Sequence, residues 1–191
     1  GPDGAVVPRQ WVREDDGDRL LFLAAPVPAP GYAVYAVSPA PAAAEAAVFA
    51  EDGVLDNDLL RVEVDGDGTF RRVFDKANGR EVLARGEAGN VLQVFVDKPE
   101  KWEAWEIDAD FEADTTELRG PVEAEVLETG PVRARIRTTR QWGASAFVQD
   151  ITLVAGSPRV DIRTRVDWQE RQRMLKVLLP VDVYAQEATY E

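Results

Sequence analysis

The sequence predicts an all-β fold built from antiparallel strands. Apolar and charged residues alternate with a period of two, most clearly over residues 60–65 and 160–168. Turn-forming Gly, Asn, Asp and Pro residues separate such stretches, for example at residues 65–68, 78–79 and 155–158. Long strands joined by short turns favour antiparallel pairing, and their alternation places one face of each sheet on a core.

The leading part of the chain has a different character, because its short apolar runs are interrupted by Pro and Gly. Residues 20–23 and 32–37 are predicted to be strands, and the prolines between them exclude a regular helix. Residues 38–47 are a Pro/Ala stretch that we interpret as a strap or linker. We therefore expect a leading β/strap segment over residues 1–51 and a β-domain over residues 52–191.

Within the β-domain the predicted strands follow one another closely. They cover residues 60–64, 70–74, 81–83, 91–96, 122–127, 132–137, 146–154, 160–168 and 174–183. Residues 188–191 have the character of a further strand that is just beginning. We therefore expect the domain to be truncated at its C-terminal end, with an open edge that favours self-association.

Five arginines share one face of two predicted strands and form an arginine stripe: Arg133, Arg135, Arg137, Arg163 and Arg165. One interpretation is a binding site for an anion. We favour a solvated sheet face, on which Asp161 and Asp167 are the cross-strand partners of the arginines.

The composition excludes several classes of function. The net charge of −13 argues against nucleic acid, because phosphate binding needs a Lys/Arg surface. The sequence has no His and no Cys, which rules out serine–histidine and cysteine–histidine nucleophiles. A calcium loop starting at Asp65 is rejected because Phe70 stands where such a loop requires Gly. No carboxylates have the helical spacing expected of zinc ligands.

Membrane and targeting signals are also missing from the sequence. No apolar run approaches the roughly 20 residues of a membrane-spanning helix. There is no basic-then-apolar signal segment at the start. A cytoplasmic location is therefore our default expectation.

One segment combines carboxylates with aromatic rings. Between Asp97 and Asp108 the chain carries Trp102 and Trp105, three residues apart and surrounded by acidic residues. Trp rings stack on the C–H faces of sugars, and carboxylates accept hydrogen bonds from sugar hydroxyls. We therefore predict that Asp97, Trp102, Trp105 and Asp108 contact a carbohydrate. The alternative is that both Trp rings anchor a long loop onto the sandwich.

Several motifs lie in order along the chain: Leu55-Asp56-Asn57-Asp58-Leu59-Leu60, Asp97-Lys98-Pro99 with Trp102-Glu103-Ala104-Trp105, Gly130-Pro131-Val132, Gly156-Ser157-Pro158-Arg159, and Val166-Asp167-Trp168. Together they resemble the C-terminal β-domain of glycoside hydrolase family 38, the α-mannosidases. The resemblance extends over nearly the whole chain. Two kinds of departure occur: Glu103 and Glu106 stand where the family has Asp, and Gln169 and Gln172 stand where it has His.

The resemblance implies a supersandwich of the galactose-mutarotase-like type. It also implies a parent enzyme that removes α-linked mannose with retention of configuration, using two carboxyl groups and a zinc ion. In the family these groups lie in a catalytic domain outside this sequence, so we assign no catalytic and no metal-binding residue here and expect zinc in that domain only.

The expected role is a non-catalytic β-domain that packs on the catalytic and helical domains of the same polypeptide and helps to bind mannosides. The alternatives are an autonomous carbohydrate-binding module and a purely structural scaffold domain.

Overall fold

The computed structural model of the chain describes residues 4, 6–14, 16–24, 27, 29–38, 47–102 and 105–187. The strands in these ranges, numbered β1 to β14 in chain order, are Arg9–Glu14, Gly17–Phe22, Val48–Glu51, Val54–Asn57, Leu60–Val64, Phe70–Asp75, Arg80–Glu81, Val91–Val96, Thr115–Glu117, Glu123–Glu128, Arg133–Trp142, Ser145–Val154, Val160–Asp167 and Arg173–Leu178. The one helical element in the described part of the chain is a single 3-10 turn, Phe111–Ala113.

These strands form four sheets. A five-stranded sheet has the order β3-β4-β5-β6-β7, a four-stranded sheet β10-β11-β12-β13 and a three-stranded sheet β14-β8-β9, while β1 and β2 form a separate hairpin. Every pairing between named strands is antiparallel. The predicted all-β, antiparallel sandwich is thus confirmed.

The larger core lies between the five-stranded and four-stranded sheets. Its fully buried members include Leu55, Val62, Phe70, Ile136 and Ile151. Burial of a side chain of this size contributes about 1.5–3 kcal/mol to the free energy of unfolding. These residues occupy the apolar positions of the period-two pattern, which explains why alternation alone predicts the strands.

A smaller core joins the three-stranded sheet to the four-stranded one. Phe147 of β12 packs there with Leu92 and Val94, and the rings of Trp142 and Trp168 stack nearby with centroids 6.3 Å apart. Phe147 lies on the same face of β12 as Ile151 of the larger core. One ten-residue strand therefore contributes to both cores.

Asn57, at the end of β4, links the two largest sheets. Its Nδ2 donates to the carbonyl oxygens of Val154 and Ser157 at 2.8 and 2.9 Å. Its Oδ1 accepts from the backbone nitrogens of Leu59 and Leu60 at 2.9 and 2.7 Å. Both donors and both lone pairs are used in a buried position. Asn57, which belongs to the motif Leu55-Asp56-Asn57-Asp58-Leu59-Leu60, thus has a structural role.

The leading segment differs from its prediction. Residues 32–37 are described but form no strand, whereas β1, which pattern reading did not identify, pairs with β2. The missed signal is the Asp16-Gly17 pair at the hairpin turn, where Gly17 has a positive φ of 132°. Most of the predicted strap, residues 39–46, and the predicted strand start at 188–191 lie outside the described residues.

The predicted boundary between residues 51 and 52 falls inside a hairpin. β3 ends at Glu51 and pairs with β4, so both belong to the five-stranded sheet. The division into two parts remains a prediction, and this pairing favours a boundary before Val48. Within the described ranges, no helix has the length and apolarity needed to cross a membrane.

Candidate functional site

The candidate site is the loop between β8 and β9, residues 97–114, which we call the tryptophan loop. Its base is held by backbone hydrogen bonds from Asp97 N to Gln172 O at 3.0 Å and from Val96 N to Asp114 O at 3.2 Å. The Phe111 ring packs on Phe95 with centroids 5.3 Å apart. The loop therefore leaves the three-stranded sheet at a fixed point.

An ammonium group also sits over this base. Lys176 Nζ lies 5.1 Å from the centroid of the Phe95 ring and 4.5 Å from that of Phe111. Such cation–π contacts contribute about 0.5–1 kcal/mol each at exposed sites. They connect β14 to both ends of the loop.

Two of the predicted contact residues lie together. Asp97 and Asp108 line one cavity of about 190 Å³, which also has Asp110 and Asp114 on its walls. Backbone hydrogen bonds from Phe111 N to Asp108 O and from Ala113 N to Asp110 O, at 3.2 and 2.9 Å, form the turn that carries these side chains. Four aspartates are thus among the residues that line the cavity, and carboxylates can accept hydrogen bonds from a polyhydroxylated ligand.

The other two predicted residues, Trp102 and Trp105, do not line this cavity. Their side chains are 68% and 89% exposed. Trp105 N donates to Trp102 O at 2.6 Å, and Trp102 has a positive φ of 63°. This exposure argues against the alternative in which both rings anchor the loop on the sandwich. Glu103, one of the family departures, lies outside the described residues.

The two Gln departures fall in different places. Gln172 lies at the base of the tryptophan loop, where its carbonyl accepts from Asp97 and its φ is 50°. Gln169 lies beside the β11–β12 turn, where its backbone nitrogen donates to Ser145 Oγ at 2.9 Å. Only Gln172 therefore adjoins the candidate site. Sequence reasoning did not anticipate this difference.

The arginine stripe requires a correction. It was predicted to be a solvated face, and Arg163 is exposed as predicted, but Arg135 is only 9% exposed and Arg133 is largely covered. Asp161 instead pairs with Arg159, and Asp167 accepts a hydrogen bond from Gln169. The Arg133–Arg135 end of the stripe is covered because the β1–β2 hairpin lies across it, and pattern reading did not identify β1.

Three carboxylates pair with four of the five arginines of the stripe: Glu14, Glu128 and Asp150. Glu128 accepts two hydrogen bonds from Arg133 at 2.7 Å and forms an ion pair with Arg135 at 2.5 Å. Glu14, from β1, pairs with Arg133 at 2.6 Å and with Arg135 at 3.2 Å. The hydrogen bond from Arg133 and the two guanidinium charges hold the pKa of Glu14 below its ordinary value despite partial burial.

Asp150 is the most buried anion of this network. Its Oδ1 lies 2.6 Å from Arg137 Nε, and its Oδ2 lies 3.6 Å from Arg165 Nη1. Burial acts to raise the pKa of Asp150, but the hydrogen bond from Arg137 and the nearby guanidinium charges outweigh it, so the pKa is lowered. Arg133, Arg135, Arg137 and Arg165 thus have carboxylate partners within the domain, while Arg135 Nε is buried without a hydrogen-bond partner among the described residues.

A metal site in this chain would need clustered carboxylates, because the sequence has no His and no Cys. Among the described residues, no group of three or more Asp and Glu side chains is placed to hold a metal ion. This holds for the described aspartates of the tryptophan-loop cavity as well. The residues present do not fit a zinc site, so no chemical step is derived through zinc here.

Comparison with known proteins gives the family. Residues 55–191 match the model of the glycosyl hydrolases family 38 C-terminal domain. Human alpha-mannosidase 2C1 is 35% identical over 143 residues, and alpha-mannosidase G of Dictyostelium discoideum is 27% identical over 147 residues. These alignments cover 72% and 73% of this chain but only 13% of each relative.

A solved structure supports the fold. An alpha-mannosidase from Enterococcus faecalis V583 superposes with a TM-score of 0.61 at 14% identity, covering 92% of this chain and 24% of that one. At this identity the likeness supports the fold alone. Because the family model matches most of the sequence, the chain belongs to glycosyl hydrolase family 38, of which it is the C-terminal domain.

Proposed function

We propose that this chain is the accessory β-domain of a retaining α-mannosidase that releases terminal α-linked mannose, and that it supplies no catalytic group itself. The match to the family's C-terminal domain carries the proposal. The absence of His from the sequence supports it, because in this proposal the zinc site and both catalytic carboxyls belong to a separate catalytic domain. The catalytic and helical domains of the same polypeptide are the proposed partners.

The test compares this chain with the full-length enzyme on an aryl α-mannoside, with and without added zinc. We expect hydrolysis by the full-length enzyme and none by this chain under either condition. Turnover by the purified chain would contradict the non-catalytic role. A full-length enzyme that hydrolyses a different glycoside instead would contradict the substrate class.

We further propose that the tryptophan loop contributes to mannoside binding. The supporting observation is that the loop carries two exposed indole rings and that its aspartates line one cavity. Rings offer stacking surface and carboxylates accept hydroxyl hydrogen bonds, the two interactions that sugar recognition combines.

A calorimetric titration of the chain with mannose and mannobiose tests this contribution. We expect saturable binding in the millimolar range that weakens about two- to tenfold in Trp102→Ala, as loss of a contact of about 0.5–1.5 kcal/mol requires. Trp11→Ala is a matched control, because Trp11 is 70% exposed and Trp102 68%. Flat titrations of the chain and an unchanged KM of the full-length Trp102→Ala enzyme would leave the loop a purely structural role.

A further inference from the structure

The β1–β2 hairpin has two faces of opposite character. Gln10, Val12 and Glu14 alternate along β1 and point toward the four-stranded sheet. Trp11 lies on the other face, opposite Leu20 of β2 in the pairing register, and Phe22 lies opposite Arg9. Since side chains alternate across a strand, each face can have its own partner.

The inward face is fixed to the sheet by polar groups. Gln10 Oε1 accepts from the backbone nitrogens of Val132 and Arg133 at 3.1 and 2.9 Å, and Gln10 Nε2 donates to Arg133 O at 2.9 Å. The Gln10 amide occupies space that a side chain at Gly130 would need, since a Cβ there would lie 2.6 Å from Gln10 Cδ. Together with the Glu14 ion pairs, these bonds define how the hairpin is oriented.

The outward face has an apolar part, formed by Trp11, Leu20 and Phe22, next to Arg9 and the exposed Arg13–Asp18 ion pair. A cavity of about 220 Å³ opens on it, with walls that include Val6, Leu20, Phe22, Tyr35 and Val37. The Phe22 and Tyr35 rings pack with centroids 5.1 Å apart, so residues 31–38 cover part of the face. Large apolar side chains around it remain in solvent, with Trp11 70% and Val37 80% exposed. Apolar surface held open in a fixed orientation is typical of an interaction site.

The comparisons give the amount of polypeptide that lies outside this chain in a protein of the same fold. The family model starts at residue 55, after the hairpin, and accounts for less than three quarters of the chain. The structural likeness to the Enterococcus faecalis enzyme covers 92% of this chain, so it extends into the leading segment. This chain amounts to only 24% of that enzyme, which leaves a much larger body of polypeptide as a candidate partner.

We infer that the outward face of the β1–β2 hairpin is the docking surface for the catalytic part of the same polypeptide. The 220 Å³ cavity suits an aliphatic or aromatic side chain from that part. This inference rests on the proposed function, since it takes the partner to be the α-mannosidase catalytic domain. The polar inward face makes the surface rigid in advance, so docking costs little ordering entropy.

Hydroxyl-radical footprinting read by mass spectrometry tests the inference, with a dosimeter peptide added to every sample. In the 191-residue chain, Trp11 and Trp102 should oxidise at similar rates, as their similar exposure requires. In the full-length enzyme, we expect the rate at Trp11 to fall about fivefold or more, as burial under a partner demands. An equal Trp11 rate in both proteins would overturn the inference.

A substitution gives an independent readout. In the full-length enzyme, Val37→Glu should accelerate proteolytic cleavage between the catalytic part and the β-domain several-fold. Val34→Glu is the control, because Val34 belongs to the same segment and is exposed but does not line the cavity. Unfolding of the 191-residue chain should be unchanged by either substitution. Equal cleavage of wild type and Val37→Glu would overturn the inference.

Two further outcomes separate this inference from the proposed function. A full-length protein without α-mannosidase activity whose Trp11 is nonetheless protected would remove the proposed function and retain the docking surface. Protection of Trp11 in the 191-residue chain that grows with protein concentration would identify a second copy as the occupant, and would overturn the inference.

Discussion

Two regions of this chain contain residue types that usually occupy opposite environments. They are the arginine stripe of β11 and β13 and the tryptophan loop between β8 and β9. Charged side chains normally face water, and Trp is largely buried on average. Here Arg135 of the stripe is 9% exposed, whereas Trp105 of the loop is 89% exposed. The difference comes from what lies over each region.

The stripe is covered by a segment that is distant in sequence. Glu14 of β1 reaches Arg133 and Arg135 across about 120 residues of chain. The buried arginines Arg133 and Arg135 are tolerated because Glu14 and Glu128 form hydrogen-bonded ion pairs with them. Over the tip of the tryptophan loop the described part of the chain places no such cover. Burial in this domain therefore depends on tertiary cover more than on residue type.

The largest expected effect comes from removing a carboxylate under the stripe. Asp150→Ala leaves Arg137 without its buried carboxylate partner and should lower the free energy of unfolding by about 3–5 kcal/mol. Asp161→Ala is the control, because the Asp161–Arg159 pair is exposed and should contribute less than about 1 kcal/mol. Urea denaturation measures both. Equally small losses would restore the solvated-face interpretation.

The next effect comes from loosening the cover itself. Gln10→Ala leaves the backbone groups of Val132 and Arg133 without their partner, so we expect a loss of about 1–3 kcal/mol. Hydrogen exchange should become faster in residues 9–22. Exchange in β12 should stay slow. Gln141→Ala, at an exposed position of β11, is the control and should leave hydrogen exchange in the hairpin unchanged. Equally fast hairpin exchange in Gln141→Ala would show that the effect is not specific to Gln10.

Acid should weaken the stripe in a defined pH range. The pKa values of Glu14 and Asp150 are lowered in the folded chain from ordinary values of 4.5 and 3.8. As the pH falls, the unfolded state therefore binds protons before the folded state does. The stabilisation from these two carboxylates is complete above their ordinary pKa values and is lost as the pH falls through their lowered pKa values. Unfolding free energies measured from about pH 6 to about pH 3 should fall toward acid. Glu14→Gln should flatten this fall, and an unchanged slope would contradict the role of Glu14.

The sequence predicts the sandwich well because the information is local. Residues such as Val62 and Ile136 alternate with charged neighbours, and the period-two pattern follows from strand geometry itself. The same reasoning brings Asp97 and Asp108 into one loop, and the structure places both on one cavity. It does not predict the Glu14–Arg135 contact, because no local pattern encodes which segment lies over a sheet face. Gln172 next to Asp97 is likewise a product of β14–β8 pairing.

The smallest expected effect on stability comes from the most conspicuous residues of the loop. Trp105→Ala removes a ring that is in solvent, so the free energy of unfolding should change by no more than about 0.5 kcal/mol. Trp168→Ala is the contrasting variant, because that ring packs on both Trp142 and Phe147 and its loss should cost about 3 kcal/mol. Urea denaturation of the two variants compares an aromatic ring with cover and one without. A large loss in Trp105→Ala would mean that the indole packs on the domain in solution, and the loop would then be an anchor rather than a free binding surface. A small loss, together with weakened mannoside binding, would mean that the ring is kept in solvent for a ligand.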